Sequence, residues 1–235
     1  MKNTLFYIFV ILAAGMGCKG KTNPGAVPPV PQTRLVIENT DSSDITVWIT
    51  LGATPGCLQN VGDIPYITQS YNPLAGSFTL KAHTSTDPYA PSGMGFNGNI
   101  AFGTPPLNCT TPEFPTGVNI FEFIVNNAFQ GPGAEETVDI SCVAGVNCYL
   151  KVYLPQDSIW NAGYVPKVDS IYNLNLNQNY GLVGVYPFGC DICTGSESPP
   201  TCTGPCQGQR QAICNVQRNA TASGGIIRIQ YRGAN

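Results

Sequence analysis

Apolar and polar side chains alternate along several short segments of this 235-residue chain. In NIFEFIV, Phe121 and Phe123 fall on one side and Glu122 on the other, and in VDISC the polar Asp139 follows the apolar Val138. A period of two is typical of a half-buried β-strand. The same pattern predicts strands in RLVIENT, DITVWITL, GSFTLKA, CYLKVYL and GGIIRIQY.

The segments between these strands are rich in residues that form turns. The chain has 26 Gly and 20 Pro, and prolines interrupt every long segment with a helical pattern. Many short strands joined by Gly/Pro loops predict an all-β sandwich or barrel. RLVIENT and DITVWITL are separated only by DSS, which predicts an N-terminal hairpin. The stretch VAGVN between Cys142 and Cys148 predicts a turn between two further strands.

The N-terminus has the pattern of an export signal. A short basic start is followed by an apolar run that is too short to span a bilayer, so residues 1–17 are expected to be a signal peptide. Small residues lead directly into Cys18, as in a bacterial lipobox, and an ordinary cleaved signal peptide is the alternative. Residues 18–33 then form a Pro-rich tether. We expect a protein of the bacterial cell envelope that contacts the membrane only through this lipid, or otherwise a secreted protein.

Charge and composition exclude several classes of function. Only 11% of the residues are charged and the net charge is -3, so no basic stripe is present to bind nucleic acid. The single His83 is remote from the cysteines, and no phosphate-binding or dinucleotide motif occurs. We therefore predict no metal and no cofactor.

Ten cysteines support an oxidising compartment. With Cys18 set aside for lipid, nine remain as disulfide candidates. Because nine is odd, either one thiol stays unpaired or Cys18 is not the lipidated residue. A bridge between Cys142 and Cys148 is one option, and a zinc site in the C-terminal cluster is the less favoured alternative. The nine candidates are Cys57, Cys109, Cys142, Cys148, Cys190, Cys193, Cys202, Cys206 and Cys214.

The segment NIFEFIVNNAFQGPGAEETVDISCVAGVN resembles the central signature of the thaumatin-like proteins, in which a Glu-Phe strand is followed by an Asp-Ile-Ser strand. VIENTDSSDITVWIT, YNPLAGSFTLKA and GMGFNGNIAFG resemble the segments before it. The resemblance covers residues 34–155. It implies a thaumatin-like β-sandwich of residues 34–155 plus 224–235, and a disulfide-rich loop region at 156–223.

The same resemblance implies a candidate site. In that family an acidic cleft lies beside the sandwich, and two of its acids map onto Glu122 and Asp139, while its Arg and its other two acids have no assigned counterpart. If the two strands are neighbours, both carboxyl groups project from one face and one pKa is raised. The leading hypothesis is a ligand site for a polysaccharide such as a β-glucan. The alternatives are a glycoside hydrolase that uses the same two acids and a structural or protein-interaction lipoprotein.

Two further expectations concern less prominent residues. Glu135 and Glu136 follow GPG and are expected in a solvated hairpin loop. An aromatic side chain can stack on the apolar face of a pyranose ring, and six tyrosines are candidates for such a platform. They are Tyr66, Tyr71, Tyr89, Tyr153, Tyr164 and Tyr172.

Overall fold

The computed structural model describes residues 31–105, 117–126, 134–163, 165–175, 178–187, 213–222 and 224–235. Twelve strands lie in these ranges. They are β1 Arg34–Asn39, β2 Ile45–Leu51, β3 Gln69–Asn72, β4 Ala75–Leu80, β5 Phe96–Phe102, β6 Ile120–Val125, β7 Glu135–Ser141, β8 Cys148–Tyr153, β9 Ser170–Tyr172, β10 Val185–Tyr186, β11 Val216–Asn219 and β12 Ile226–Ala234. The described helical structure includes two short 3₁₀ turns, Val61–Asp63 and Ala220–Ala222. None of the described helices has the length and apolar character that a bilayer crossing needs.

The strands form two sheets. A four-stranded sheet has the order β1-β12-β8-β9, and an eight-stranded sheet has the order β10-β7-β6-β5-β2-β4-β3, with β11 also pairing with β7. Apolar side chains of both sheets form one continuous core, across which the rings of Phe102 and Tyr231 stack with centroids 5.3 Å apart. The predicted all-β sandwich is confirmed.

The predicted N-terminal hairpin is wrong. β1 pairs in parallel with β12, at the other end of the chain, whereas β2 pairs with β4 and β5 in the other sheet. The Asn39 amide group directs this change of sheet because it donates hydrogen bonds to the backbone oxygens of Ser43, Leu80 and Lys81, at 2.8, 3.2 and 3.2 Å. The DSS segment is therefore a crossing between sheets rather than a hairpin turn.

The turn between Cys142 and Cys148 also crosses from one sheet to the other. Asn119 fixes it: the side-chain oxygen of Asn119 accepts from the backbone N–H groups of Asn147 and Cys148, at 3.0 and 3.1 Å. Gly145, with a φ of +135°, packs against Gly117, and a Cβ at Gly145 would lie 2.3 Å from the Gly117 Cα. The contact is between the backbones of Gly145 and Gly117, so no flexible side chain can move away to make room for a Cβ.

We expect Gly145→Ala to destabilise the fold by about 2–4 kcal/mol, because it adds both left-handed strain and an unavoidable contact. Gly93→Ala is the matched control, since Gly93 has a φ of +69° but nothing lies within 4 Å of its hypothetical Cβ. Denaturant midpoints of the two variants measure the difference. Equal losses in both would show that the contact with Gly117 is not limiting.

The expectation for Glu136 is also wrong. Glu136 lies in β7 on the same side as Val138, and it is fully buried. There its carboxylate accepts a 2.6 Å hydrogen bond from Arg218 Nε in β11 and a 2.9 Å one from Thr33 Oγ1. The residues after GPG therefore do not all form a solvated loop. Glu136 belongs to a buried ion pair, whereas its neighbour Glu135 is exposed.

Strands β9, β10 and β11 come from the 156–223 segment and pair within the two sheets. The division of the chain at Pro155 stays a prediction. The N-terminal segment through residue 30 lies outside the described residues, as do Cys18, Cys109, Cys190, Cys193, Cys202 and Cys206.

Candidate functional site

Glu122 in β6 and Asp139 in β7 lie directly opposite each other in an antiparallel pair. Because side chains alternate along a strand, the flanking Phe121 and Val138 point into the core, and the two acids point to the outer face of the eight-stranded sheet. The structure thus brings the two acids together on one face. Their role in binding a ligand stays a prediction.

The two carboxyl groups lie close enough to share a hydrogen bond. The pKa of Asp139 is held well above its usual range. Burial is the largest cause, and the charge and hydrogen bond of Glu122 add to it. Glu122 keeps a partly exposed side chain. Even so, burial of its carboxyl group by the surrounding protein raises the pKa of Glu122 to about 7. The hydrogen bond with Asp139 acts in the opposite direction and lowers this pKa, but it is the smaller effect. Both carboxyl groups are therefore harder to ionise in the fold than in the unfolded chain.

No salt bridge among the described residues includes either of these carboxyl groups. Other ionisable groups do face the pair. The hydroxyl of Tyr186 and the thiol of Cys214 both have raised pKa values, caused first by burial and next by Asp139. Tyr186 Oη also accepts a 3.2 Å hydrogen bond from the side-chain amide of Asn215. In the described part of the chain, these two neighbours are neutral groups that do not offset a negative charge on the pair.

The acids belong to a polar row that runs across the sheet. Asn99 in β5 is paired with Glu122, and Thr50 in β2 is paired with Asn99, so the row reads Thr50, Asn99, Glu122, Asp139. Among the described residues, Asn99 Oδ1 and Asp139 Oδ1 are buried without a hydrogen-bond donor. Buried acceptors are normally paired. The side chains of Thr50, Asn99 and Glu122 are half-buried, so part of each one is open on the outer face of the sheet.

An aromatic pair lies on the same face, one row further along the strands. Trp48 follows the same side of β2 as Thr50, and its ring stacks on Tyr71 with centroids 5.1 Å apart and planes 25° apart. Tyr71 is held by a 3.3 Å hydrogen bond between its hydroxyl and Ser77 Oγ. Both rings are half-buried. Each therefore keeps part of its surface open.

The other candidate tyrosines lie elsewhere. Tyr66 and Tyr89 pack against each other and against the core rings of Phe78 and Phe96. Tyr153 and Tyr172 lie on the outer face of the four-stranded sheet. Tyr164 lies outside the described residues. Among the described candidates, Tyr71 stacks on a residue of the same sheet face as the acids. Its partner Trp48 was missed, although the alternation of DITVWITL placed Trp48 on the outer side.

The separation of the two carboxyl groups bears on the hydrolase hypothesis. Glycoside hydrolases hold their two carboxyl groups about 5–5.5 Å apart for retention or about 6.5–9.5 Å apart for inversion, with the sugar between them. Glu122 and Asp139 lie directly opposite each other in the sheet and within hydrogen-bond reach, which is closer than either arrangement. Hydrolysis by this pair stays a prediction.

The described cysteines are buried. Burial raises the pKa of the Cys148 and Cys214 thiols to about 12, and the pKa of Cys142 is raised as well, first by burial and then by Cys148. Cys142 and Cys148 are both free thiols in the structure, so the expected bridge between them is wrong. The other disulfides stay predictions. No group of three or more His, Cys, Asp or Glu side chains among the described residues is arranged to hold a metal ion.

Fold and site together define an all-β sandwich protein with a buried carboxyl pair on the outer face of its larger sheet. No protein-family model matches the sequence, and no curated protein is significantly similar to it. Among solved structures, the thaumatin-like xylanase inhibitor TLXI is similar at 13% identity and a TM-score of 0.39, covering 85% of this chain and 99% of the inhibitor. The protein elicitor MoHrip2 from Magnaporthe oryzae is similar at 7% identity and a TM-score of 0.39, covering 86% of this chain and 99% of the elicitor. These identities are too low to place the chain in a family.

Proposed function

We propose that this protein binds a polysaccharide on the outer face of its eight-stranded sheet, and that it does not hydrolyse it. The observation that carries the proposal is the polar row Thr50, Asn99, Glu122 and Asp139, in which the half-buried Glu122 lies directly beside a second acid on the outer face of the sheet. Sugar hydroxyls can donate to the side chains of such a row, and a carboxylate accepts the stronger, charge-assisted hydrogen bonds.

The stacked rings of Trp48 and Tyr71 support a saccharide rather than another polar ligand. A pyranose presents hydroxyl groups at its edge and apolar C–H groups on its face, and the two kinds of contact here lie on the same surface. Trp48 is two strands away from Glu122 through β5, about 10 Å across the sheet. That separation suits an oligosaccharide better than a single sugar.

The proposal includes export, with Cys18 as the lipid-bearing residue and residues 18–33 as a tether that holds the sandwich away from the membrane. This location would give the outer sheet face access to envelope or external glycans. Mass spectrometry of the mature N-terminus tests this part independently of binding. An unmodified chain that still begins at Met1 would contradict it.

We expect the full chain to be retained by β-glucan in affinity electrophoresis, and the Glu122→Gln, Asp139→Asn double variant to lose about tenfold or more in affinity. The reason is that each charge-assisted hydrogen bond is worth about 1.5–3 kcal/mol. These substitutions preserve shape, and they remove the charge and the shared proton. Trp48→Ala should weaken binding separately, through loss of the stacking surface.

Asp87→Asn is the matched control, because Asp87 is an exposed acid outside the strands. Its affinity should equal that of the wild type. Circular dichroism verifies that the double variant is folded. A folded wild-type protein that binds no member of a broad glycan array would overturn the proposal, and reducing-end release that depends on Glu122 would replace binding with hydrolysis.

A further inference from the structure

The outer face of the four-stranded sheet has a different character from the acidic row. Lys151 in β8 is paired with Tyr172 in β9 on one side and with Gln230 in β12 on the other. Tyr172 is 46% exposed. The ammonium group of Lys151 also lies 4.8 Å from the ring centroid of Tyr153. Cationic and aromatic groups therefore alternate on this face of a protein whose net charge is negative.

A groove of about 440 Å³ opens on this face. Its lining residues are Tyr149, Leu150, Lys151, Tyr172, Asn173, Leu174 and Arg232. Its size is within the range of small-molecule and cofactor sites in proteins.

Side-chain hydrogen bonds hold the wall of the groove in place. The Asn173 side chain forms the hydrogen bonds that a neighbouring strand would form with β8. Its oxygen accepts from Leu150 N–H at 2.6 Å, and its amide donates to the Cys148 backbone oxygen at 2.9 Å. The hydroxyl of Tyr149 donates to Asn175 Oδ1 at 2.5 Å. These bonds fix the segment after β9 against β8, so the groove is preformed.

The two cations of the groove are not neutralised by the described part of the protein. None of the salt bridges among the described residues includes Lys151 or Arg232. On the same face, by contrast, Arg228 is paired with Glu38 at 2.5 Å. Arg232 is exposed and lies at a register irregularity of β12, beside Gly233 with a φ of +108°. Such bulges turn a side chain away from the regular strand direction.

We propose that this groove binds an anionic saccharide, in which a carboxylate or sulfate group pairs with Lys151 and Arg232 and a sugar ring lies against Tyr172. Guanidinium and ammonium groups form strong charge-assisted hydrogen bonds with such anions. Among the described residues, the groove offers two cations that are outside the salt bridges. A nucleic acid, whose binding needs neutralisation of several phosphates, is a poorer match. This site is independent of the acidic row on the other sheet.

The test is calorimetric titration of the full chain at low and at physiological salt. The probes are an oligogalacturonate, a heparin oligosaccharide, neutral dextran and single-stranded DNA. We expect the two anionic saccharides to bind in a salt-sensitive manner and dextran not to bind at this site. The Lys151→Gln, Arg232→Gln double variant should lose about tenfold or more in affinity, and Tyr172→Ala should also weaken binding. The stronger of the two anionic probes indicates whether carboxylate or sulfate is preferred.

Arg228→Gln is the matched control, because Arg228 lies on the same face and is already paired with Glu38; its affinity should stay within about twofold of the wild type. The Glu122→Gln, Asp139→Asn variant should bind the anionic probes normally, which separates this site from the proposed function. The inference is overturned if neither anionic saccharide binds, if dextran binds the Glu122→Gln, Asp139→Asn variant as well as the anionic probes do, or if DNA binds more tightly than both. Equal losses in the Arg228 and Lys151/Arg232 variants would likewise overturn it.

Discussion

Replacing Arg218 by Met is expected to destabilise the protein by about 3–5 kcal/mol, because it leaves the Glu136 carboxylate buried without its cation. The two side chains are 1% and 0% exposed, and Arg218 Nε lies 2.6 Å from Glu136 Oε2. The guanidinium also donates to Thr33 Oγ1 at 2.6 Å and to the Gly224 oxygen at 2.8 Å. Glu136→Gln should cost a similar amount for the converse reason. Chemical denaturation measures both variants.

This ion pair joins parts of the chain that are remote in sequence. Arg218 comes from β11, Glu136 from β7, and Thr33 from the segment before β1. Asn126, with a φ of +58°, completes the network: its backbone N–H donates to Glu136 Oε1 at 2.6 Å, and its side-chain oxygen accepts from Thr33 N–H at 2.7 Å. Loss of Arg218 therefore leaves several buried polar groups partly unpaired, and the cost extends beyond one salt bridge.

The exposed pair Lys167–Asp169 is the control, since its side chains are 60% and 52% exposed. Lys167→Met should change stability by less than about 1 kcal/mol. The guanidinium carbon of Arg218 lies 4.4 Å from the ring centroid of the buried Trp160. Tryptophan fluorescence therefore reports loss of the contact directly. If Arg218→Met and Lys167→Met have equal and small effects, the buried pair does not stabilise the fold.

The sequence pattern predicts the strands well where alternation is strict. β2, β6 and β8 all follow it, and the alternation in β6 places Glu122 on the outer face as observed. The same rule, applied one strand further, would have found Glu136, because Glu136 and Val138 are two residues apart and share the core face. Glu136 was instead expected in a loop, because the turn signal GPG was given more weight than the alternation of polar and apolar residues.

Strand pairing was not predictable from the local pattern. The parallel partner of β1 lies 192 residues further along the chain, as Arg34 pairs with Ile226, and nothing in either segment identifies the other. Short strands such as β9 and β10 are equally hard to recognise, because two or three residues cannot show a period. Part of their position depends on side chains, as with Asn173, whose amide replaces backbone pairing beside β8.

The stability of the wild-type protein is expected to contain a contribution that falls as the pH rises from about 4.5 to 7, and Glu122→Gln should remove it. Burial raises the folded-state pKa of Glu122 from 4.5 to about 7, and Asp139 is shifted in the same direction. Below the unfolded pKa both states are protonated, so the contribution is fully present. Above it the unfolded chain releases its proton first, which favours unfolding until the folded pKa is passed.

The expected size for Glu122 is on the order of 3 kcal/mol, since each unit of pKa corresponds to about 1.4 kcal/mol. The measurement is the free energy of unfolding of wild type and variant across this range. Carboxylates remote from the pair contribute equally to both and cancel, so the difference reports Glu122 together with its effect on Asp139. Asp87→Asn, at an exposed acid, should run parallel to the wild type. A Glu122→Gln profile parallel to the wild type would mean that the Glu122 carboxyl group ionises as freely in the fold as in the unfolded chain. In that case water or a cation solvates the Glu122 carboxylate in the folded protein.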